Sequence, residues 1–409
     1  MAHATFRRAA DLRRRLSAAA AILAALVLVP DDASARRQKT VFRSQPTEWT
    51  PELGAEDPAA TLEFRPQWTF GGLAAPLAGD PAAAGDRIVV AGQDGRLVVL
   101  RAADGAIVWS DELGAPLPTG PAVDSGRVLQ ALRGGRLRAF DLADGRRLWE
   151  TDLGGDALHP PRPFGPHLAV ATGAGALLLL SPGTGRIVAR RVLPGRASTP
   201  PEPAPGTILI GTVHGMVVAL DATTLRVRWR HYARHPITSP PLYHRDRVFV
   251  AAGDRGLRAL RFRDGRPRWT ARLGAAAVAR PFVRGPYLYV SCFDNDIYVL
   301  RSKNGHLVTR VRLGHRLDAG AALSGDLLLV APFTAGTLLG LALPGLQTSG
   351  RYELGLPGEW FTTAPLPLDG IVAVGYGRDQ GRLLALALGA PGTATAPDGA
   401  AGDGGTTSP

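Results

Sequence analysis

The chain of 409 residues contains 50 glycines, 34 prolines and 45% apolar residues, which suits a large core interrupted by many turns. Its formal charge of +12 comes from 47 basic and 35 acidic residues, and the basic residues are scattered rather than clustered, which argues against a nucleic-acid-binding surface. Cys292 is the only cysteine, so an intrachain disulfide is excluded.

The N-terminal segment has the layout of a secretory signal peptide. Arginines precede an apolar run, Leu16–Val29, and the small residues Ala33–Ala35 follow it. The run is shorter than the roughly 20 residues that a membrane span needs, and no cysteine follows it to accept a lipid. We predict that residues 1–35 are removed and that the mature chain, beginning at Arg36, is periplasmic or secreted. An uncleaved anchor is the alternative.

Two further segments lack any periodic pattern. Residues 36–61 are polar and contain proline, which predicts a linker. Residues 389–409 consist mostly of small residues without core formers, which predicts a disordered tail.

The region between these segments repeats with a period of 40 residues. Such a period predicts a repeat architecture. One turn position is occupied by glycine in most repeats and by leucine in one: Gly105, Gly145, Gly185, Leu225, Gly265, Gly305 and Gly345. A proline series has the same spacing: Pro81, Pro121, Pro161, Pro201, Pro241 and Pro281, with Ala321 in the next position.

The second repeat shows most clearly how one unit is built. Its sequence predicts strands at 119–123, 127–132, 136–141 and 146–153, separated by turns that contain glycine. Four short antiparallel strands in about 40 residues form one blade of a β-propeller. Proline is tolerated at a sheet edge, so we expect the proline-bearing strand to be innermost. Tryptophans on the outermost strands are predicted to anchor neighbouring blades: Trp68, Trp109, Trp149, Trp229 and Trp269.

The number of units predicts a closed ring. The last unit offers strands at Ile371–Val374 and Arg382–Leu388 but has no outer strand, whereas Leu62–Trp68 resembles an outer strand without a blade. Pairing the two removes exposed sheet edges. We therefore predict an all-β protein whose residues 62–388 form an eight-bladed β-propeller of four-stranded antiparallel blades, closed by the N-terminal strand.

Ala139–Trp149 carries the pattern Ala-x-Asp-x-x-x-Gly-x-x-x-Trp, which resembles the pyrroloquinoline-quinone (PQQ) repeat. This resemblance implies the eight-bladed fold and two functional branches. One branch consists of quinoprotein dehydrogenases, which hold PQQ and calcium over the channel. The other is non-enzymatic and is typified by BamB, a lipoprotein of the outer-membrane barrel-assembly machinery. The pattern is a packing motif, so it does not choose between the branches.

The sequence provides few candidates for a calcium–quinone site. Calcium needs several converging oxygen ligands, usually including carboxylates. The predicted inner strands offer Asp80 and Glu202, with Arg162 and Arg280 as basic neighbours, and the adjacent cysteines that such enzymes often carry are absent. We expect no catalytic residue, no metal and no cofactor. PQQ and calcium belong only to the alternative of a PQQ-dependent dehydrogenase.

A candidate binding face follows from the alternation of strand directions. The second-to-third and fourth-to-first connections of every blade fall on one face, and loops on a rigid scaffold commonly carry binding. Solvated loop residues without a function are the simpler interpretation. Trp360 and Phe361, in the long connection Leu354–Thr363, either bind a partner or pack against the eighth blade in place of a tryptophan missing at position 349. The candidate partner-binding residues are Arg133, His159, His214, Arg234, His235, Arg255, Asp294, His315, Arg316 and Trp360.

These observations favour an exported, non-catalytic, monomeric scaffold that binds proteins or a ligand in the cell envelope. The resemblance to BamB implies a role in outer-membrane protein assembly. A PQQ-dependent dehydrogenase and an extracytoplasmic sensor or accessory subunit remain the alternatives. We expect no nucleic-acid partner and no membrane span after signal cleavage.

Overall fold

The computed structural model describes residues 62–317, 320–333 and 335–389. These residues form eight four-stranded antiparallel sheets, which confirms the predicted β-propeller. No helix in the described ranges is long and apolar enough to cross a membrane. The predicted signal peptide (1–35) and linker (36–61) lie outside the described residues, as does the predicted tail beyond its first residue, Gly389, which ends the last strand.

Each blade begins with a very short innermost strand. The innermost strands of blades 1 to 8 are β2 (Ala82–Ala84), β6 (Ala122–Asp124), β10 (Arg162–Phe164), β14 (Glu202–Ala204), β18 (Leu242–His244), β22 (Phe282–Arg284), β26 (Ala321–Ser324) and β30 (Leu366–Pro367).

The second and third strands form the middle of each blade. Both faces of a blade are covered by its neighbours, so these strands are apolar runs rather than alternating patterns, and every residue of Ala176–Leu180 is buried. The second strands are β3 (Arg87–Ala91), β7 (Arg127–Leu132), β11 (His167–Ala171), β15 (Thr207–Gly211), β19 (Arg247–Ala251), β23 (Tyr287–Ser291), β27 (Leu327–Val330) and β31 (Ile371–Tyr376). The third strands are β4 (Arg96–Arg101), β8 (Arg136–Asp141), β12 (Ala176–Leu180), β16 (Met216–Asp221), β20 (Gly256–Arg261), β24 (Asp296–Arg301), β28 (Thr337–Ala342) and β32 (Arg382–Gly389).

The outermost strand of the last blade comes from the start of the propeller sequence. In blades 1 to 7 the outermost strands are β5 (Ile107–Glu112), β9 (Arg147–Asp152), β13 (Ile187–Val192), β17 (Val227–Tyr232), β21 (Pro267–Arg272), β25 (Leu307–Arg312) and β29 (Gln347–Glu353). In blade 8 this place is taken by β1 (Glu63–Phe70), and the sheet order is β1-β32-β31-β30. Glu63 pairs with Gly389 and Phe70 with Leu383. The predicted closure by the N-terminal strand is therefore confirmed.

The core consists of apolar clusters in the wedges between neighbouring blades. One cluster joins Leu137 of blade 2 to Leu178 of blade 3, and the same kind of contact is repeated around the ring. The wedge at the closure joins Val98 of blade 1 to Leu383 of blade 8. The closing strand thus completes a sheet and also seals the last wedge against water, which an open ring would leave exposed.

The tryptophans of the outermost strands contact the blade that follows. The indole N–H of Trp149 donates to the carbonyl oxygen of Pro182 at 2.9 Å, and Trp68 makes the same bond to Ala102 of blade 1, across the closure. The turn glycine of the following blade lies directly against each ring, where a Cβ would clash. The remaining members of this series are Trp109, Trp229 and Trp269. Trp68 and Trp109 are half-buried, whereas the other three rings are buried.

Leucine replaces the turn glycine where the preceding blade lacks its tryptophan. Blade 3 has Ala189 at the tryptophan position, and Leu225 of blade 4 packs in the same apolar cluster with 1% exposure. Leu225 has a left-handed φ of 55°, a conformation that disfavours a residue with a Cβ. Blade 6 has Thr309 at this position, and Leu346 of blade 7 is likewise left-handed and 1% exposed. In both wedges a leucine side chain occupies the position that an indole takes elsewhere.

The proline series precedes the innermost strands instead of lying within them. The sequence predicts a strand at 119–123, but β6 begins at Ala122, directly after Pro121. Pro81, Pro161 and Pro201 stand in the same place before β2, β10 and β14. Proline cannot donate a ladder hydrogen bond, and it therefore marks the point at which pairing starts.

The third and fourth strands of blade 7 lie one residue later than the 40-residue period predicts, whereas its second strand begins on the period. The left-handed turn position is therefore Leu346 and not Gly345. The tryptophan position is Gly350, which pairs with Gly340, and not residue 349. Leu62 covers Gly350, since a Cβ there would lie 2.9 Å from that of Leu62.

Candidate binding face

The second-to-third turns and the fourth-to-first connections form one face of the propeller, which we call the loop face. Isolated bridges between described residues tie six of the connections to the turn of the following blade, as between Ala157 and Thr172 and between Ile237 and Ala252. Hydrogen bonds also tie each connection to the turn of its own blade, as from Leu153 to Gly135. Most loops of this face are therefore hydrogen-bonded to their neighbours and held on rigid sheets.

All of the predicted partner-binding residues lie in these connections. The second-to-third turns carry Arg133, His214, Arg255 and Asp294, and the fourth-to-first connections carry His159, Arg234, His235, His315, Arg316 and Trp360. Most of these side chains are exposed, whereas His159, Asp294 and Trp360 are partly buried. Their binding role stays a prediction.

Carboxylates of the loop face are engaged by neighbouring protein groups. Asp294 accepts a hydrogen bond from the hydroxyl of Tyr298 at 2.6 Å, and burial together with this carboxylate raises the pKa of Tyr298. Asp254 forms an ion pair with Arg258, and Arg258 bonds to both of its oxygens. Glu359, in the connection before blade 8, forms an ion pair with Arg382 through Oε1, whereas its buried Oε2 accepts no hydrogen bond among the described residues.

Several arginines of the loop face are exposed and have no such partner. Among the described residues, Arg133, Arg196 and Arg234 form no ion pair or side-chain hydrogen bond. Arg255 donates only to the carbonyl oxygen of Gly274, at 3.2 Å. Because the carboxylates are engaged and these guanidinium groups are not, this part of the face presents positive charge to solvent.

Two phenylalanines that sequence reasoning missed lie beside the predicted residues. Phe293 is 46% exposed, and the guanidinium of Arg316 lies 5.5 Å from its ring centroid. Phe333 lies edge-on to Trp360, with ring centroids 6.2 Å apart. The signal was present in the sequence, since residues 293 and 333 share one position of the repeat. Phe361, in contrast, is fully buried between blades 7 and 8.

Charged side chains meet in the central channel near the loop face. Glu202 at the start of β14 is 2% exposed, and Arg280 donates from Nε to its Oε2 at 2.9 Å. Arg280 leads into blade 6, so this ion pair passes blade 5 and crosses the channel. Arg162 lies 3.7 Å from the other carboxylate oxygen. Burial raises the pKa of Glu202, and the two guanidinium groups oppose that shift.

The charge of Arg162 also acts on the pKa values of His159 and Asp80. Burial lowers the pKa of His159 to about 4, and Arg162 adds to this shift. Asp80 accepts the backbone N–H of Ala364 at 2.8 Å, and burial raises the pKa of its carboxyl group.

The acidic residues of the channel are the candidate ligands for a metal ion. Glu202 forms ion pairs with Arg280 and Arg162, although its buried Oε1 accepts no hydrogen bond among the described residues, and Asp80 accepts a backbone N–H. No group of three or more His, Cys, Asp or Glu side chains that could hold a metal ion occurs within the described ranges. Cys292 is fully buried, and burial raises the pKa of its thiol. This donor set does not fit a calcium–quinone site.

A family model described as outer membrane protein assembly factor BamB matches residues 63–199, 133–239 and 200–330, which together span more than half of the chain. The chain belongs to the BamB family. No curated protein sequence matches it.

Solved structures show the same fold as this member of the BamB family. BamB from Moraxella catarrhalis superimposes with a TM-score of 0.68 at 17% identity, covering 80% of this chain and 100% of that chain. The computationally designed Ika8 protein gives 0.67 at 13% identity, with 79% and 99% covered. Quinohemoprotein alcohol dehydrogenase from Comamonas testosteroni gives 0.63 at 13% identity, with 80% and 76% covered. At such identities the likeness shows the fold alone.

Proposed function

We propose that this chain is an exported, non-catalytic scaffold of the cell envelope that binds a partner protein through the loop face and acts in outer-membrane protein assembly. Membership of the BamB family is the observation that carries the proposal. The loop face supports it because unpaired guanidinium groups, the exposed ring of Phe293 and the half-buried rings of Phe333 and Trp360 are held there on a rigid support.

A PQQ-dependent dehydrogenase is the second candidate. The likeness to quinohemoprotein alcohol dehydrogenase favours it at the level of the fold. The channel argues against it, because calcium needs several converging oxygen ligands, whereas Glu202 is paired with two arginines and Asp80 accepts a backbone N–H. No cofactor is therefore part of the proposed function.

Site-directed cross-linking tests the scaffold function. Cys292 is fully buried, so the wild-type chain provides a background of low thiol reactivity. The variant His235→Cys places a thiol on the loop face, and Thr184→Cys places one in an exposed turn on the opposite face. We expect a thiol-specific photocross-linker to join His235→Cys to an outer-membrane assembly protein in envelope preparations, whereas Thr184→Cys should give no such adduct. Equal labelling from both faces, or none from either, would contradict the proposal.

Binding of the quinone distinguishes the second candidate. The purified protein is mixed with PQQ and calcium and passed through a gel-filtration column. We expect no quinone absorbance in the protein peak. Stoichiometric quinone in that peak would favour the dehydrogenase instead.

A further inference from the structure

Blades 6 and 7 carry an aromatic residue at a turn position where other described blades carry glycine, valine or a polar residue. At this position the backbone N–H donates to the carbonyl oxygen of the preceding connection, as from Phe293 to Ala276 at 3.0 Å and from Phe333 to Arg316 at 2.7 Å. The same bond is made in other blades by Gln93, Gly173, Val213, Gly253 and Gly377. Because glycine serves in three of these turns, the fold needs no side chain at this position.

The two phenylalanines belong to a continuous row of side chains, which we call the aromatic arc: Phe293, Arg316, Phe333 and Trp360. The guanidinium of Arg316 covers Phe293, and the ring of Phe333 meets that of Trp360 at an interplanar angle of 69°. The arc follows the loop face from blade 6 to the connection before blade 8. Leu356 in that connection is 44% exposed and adds further apolar surface. Phe293 is exposed, whereas Phe333 and Trp360 are half-buried. Clustered aromatic side chains on a rigid support are typical of interaction hot spots.

The other half of the loop face is basic. We call Arg133, Arg196, Arg234 and Arg255 the arginine arc, which runs from blade 2 to blade 5. Its guanidinium groups are exposed, and none of the four forms an ion pair with a described carboxylate. Guanidinium groups bind carboxylates through paired hydrogen bonds, so the arc is complementary to a segment rich in Asp or Glu.

We propose that the loop face binds an acidic, extended segment of a partner protein that also carries an aromatic or large aliphatic residue. The acidic part of the segment pairs with the arginine arc, and the apolar side chain docks on the aromatic arc. This inference rests on the proposed function, since it names the chemistry of the partner that the scaffold would hold. The two arcs have different roles. The arginine arc speeds association through charge, whereas the apolar side chain of the segment, once buried on the aromatic arc, provides most of the affinity.

Three synthetic peptides of equal length and defined sequence test this proposal by fluorescence anisotropy with the full chain. The first contains Asp, Glu, Trp and Leu, the second replaces Trp and Leu by Ser, and the third replaces Asp and Glu by Lys. We expect the first peptide to bind at least about tenfold more tightly than either of the others, with an affinity that falls as salt is added. Equal binding of the acidic and basic peptides, or no binding of the first, would overturn the proposal.

Two sets of variants assign the binding to the arcs. The double variant Phe293→Gly with Phe333→Gly introduces the residue that other blades carry, so the fold should survive, and thermal unfolding checks this. We expect it to weaken binding of the first peptide about tenfold or more. Val213→Gly, at the same turn position of blade 4, is the matched control and should bind normally. Arg196→Gln with Arg234→Gln should reduce both the affinity and its salt dependence. Unchanged binding in both double variants would show that the arcs are not the site.

The peptide-binding test can fail independently of the cross-linking test of the proposed function. Cross-linking through His235→Cys reports whether the loop face meets an envelope protein at all. If cross-linking succeeds and the acidic peptide fails to bind, the scaffold function stands and the assigned partner chemistry is wrong.

Discussion

Trp149 shows how a single side chain joins two blades. Its ring lies against Gly185 of blade 3, where a Cβ would be 2.4 Å from Cε3, and its N–H is used in a hydrogen bond to the same turn. Position 185 must therefore be glycine for steric reasons as well as for its left-handed φ of 70°. The repeated glycine and tryptophan of the sequence are two sides of one contact.

Removing this ring should destabilise the propeller. We expect Trp149→Ala to lower the free energy of unfolding by about 3–5 kcal/mol, because a buried aromatic side chain leaves a cavity. Trp149→Phe keeps most of the ring and loses the hydrogen bond, so its cost should be near 1 kcal/mol. Denaturant titration of both variants measures the difference. An alanine variant as stable as the parent would mean that the ring does not hold the blades together.

His159 should make stability dependent on pH. Its pKa is about 4 in the folded chain because of burial, against about 6.5 in an unfolded chain. The unfolded state therefore binds the proton first, so the contribution is complete above about pH 6.5 and is lost as pH falls towards 4, by at most about 3 kcal/mol. Burial raises the pKa of Asp80 and Glu202, which face the same Arg162, and these groups have the opposite effect.

Comparison of variants separates the contribution of His159 to the pH dependence of stability from that of the two carboxyl groups. Between pH 7 and pH 4, His159→Gln should lose less unfolding free energy than the parent chain. His315→Gln, an exposed histidine of the same face, is the control and should follow the parent. Parallel curves for all three proteins would refute the assignment.

At the level of strands and turns, the wedge between blades 3 and 4 is packed by a leucine where other wedges use a tryptophan against a glycine. Leu225 fills the position that an indole takes elsewhere, and Ala189 makes room for it. Ala189→Trp alone should be destabilising by about 1–3 kcal/mol through overpacking. Adding Leu225→Gly recreates the glycine–tryptophan contact of the other wedges, so we expect the double variant to recover much of that loss. Thermal unfolding of both single variants and the double variant measures the coupling, and simple additivity would contradict this explanation.

The sequence predicted the middle strands of the blades well because each is an apolar run between turn residues. The prediction for β7 and β8 agrees with the structure at both ends, whereas the predicted innermost strand of blade 2 began too early, because pairing starts only after Pro121. The single inserted residue in blade 7 was missed because glycine happens to stand at position 345 as well. A fixed period cannot reveal a one-residue shift, which only the pairing of Gly340 with Gly350 makes visible.

The loop face was predicted from topology, but its aromatic arc was not. Phe293 and Phe333 are 40 positions apart in the sequence, and each looks like an ordinary apolar residue that follows a strand. Only the ring of blades brings them next to Arg316 and Trp360. The channel ion pair was also out of reach, because sequence spacing does not show that Arg280 reaches across to Glu202.

At the scale of the whole propeller, the closing strand should control stability. Deleting residues 62–70 removes β1, opens the edge of β32 and breaks the contact of Trp68 with blade 1. We expect a large loss of thermal stability, because the wedge between blades 8 and 1 becomes exposed to water. Deleting residues 390–409 leaves every described strand intact and should not change the melting temperature. If both truncated proteins melt like the parent, β1 is not needed for closure.

The pairing of β1 with β32 also couples folding to synthesis. Seven blades pair strands that are neighbours in sequence, so they can form one after another as the chain emerges, as in other repeat proteins. β1 is made before all of them and must wait for the last strand, which at about 5–20 residues per second means roughly 15–60 seconds as an unpaired edge. During that time the growing ring has two open ends that can pair with other chains. Arrival of β32 closes both at once, so the final strand to be made is the one that ends the risk of aggregation.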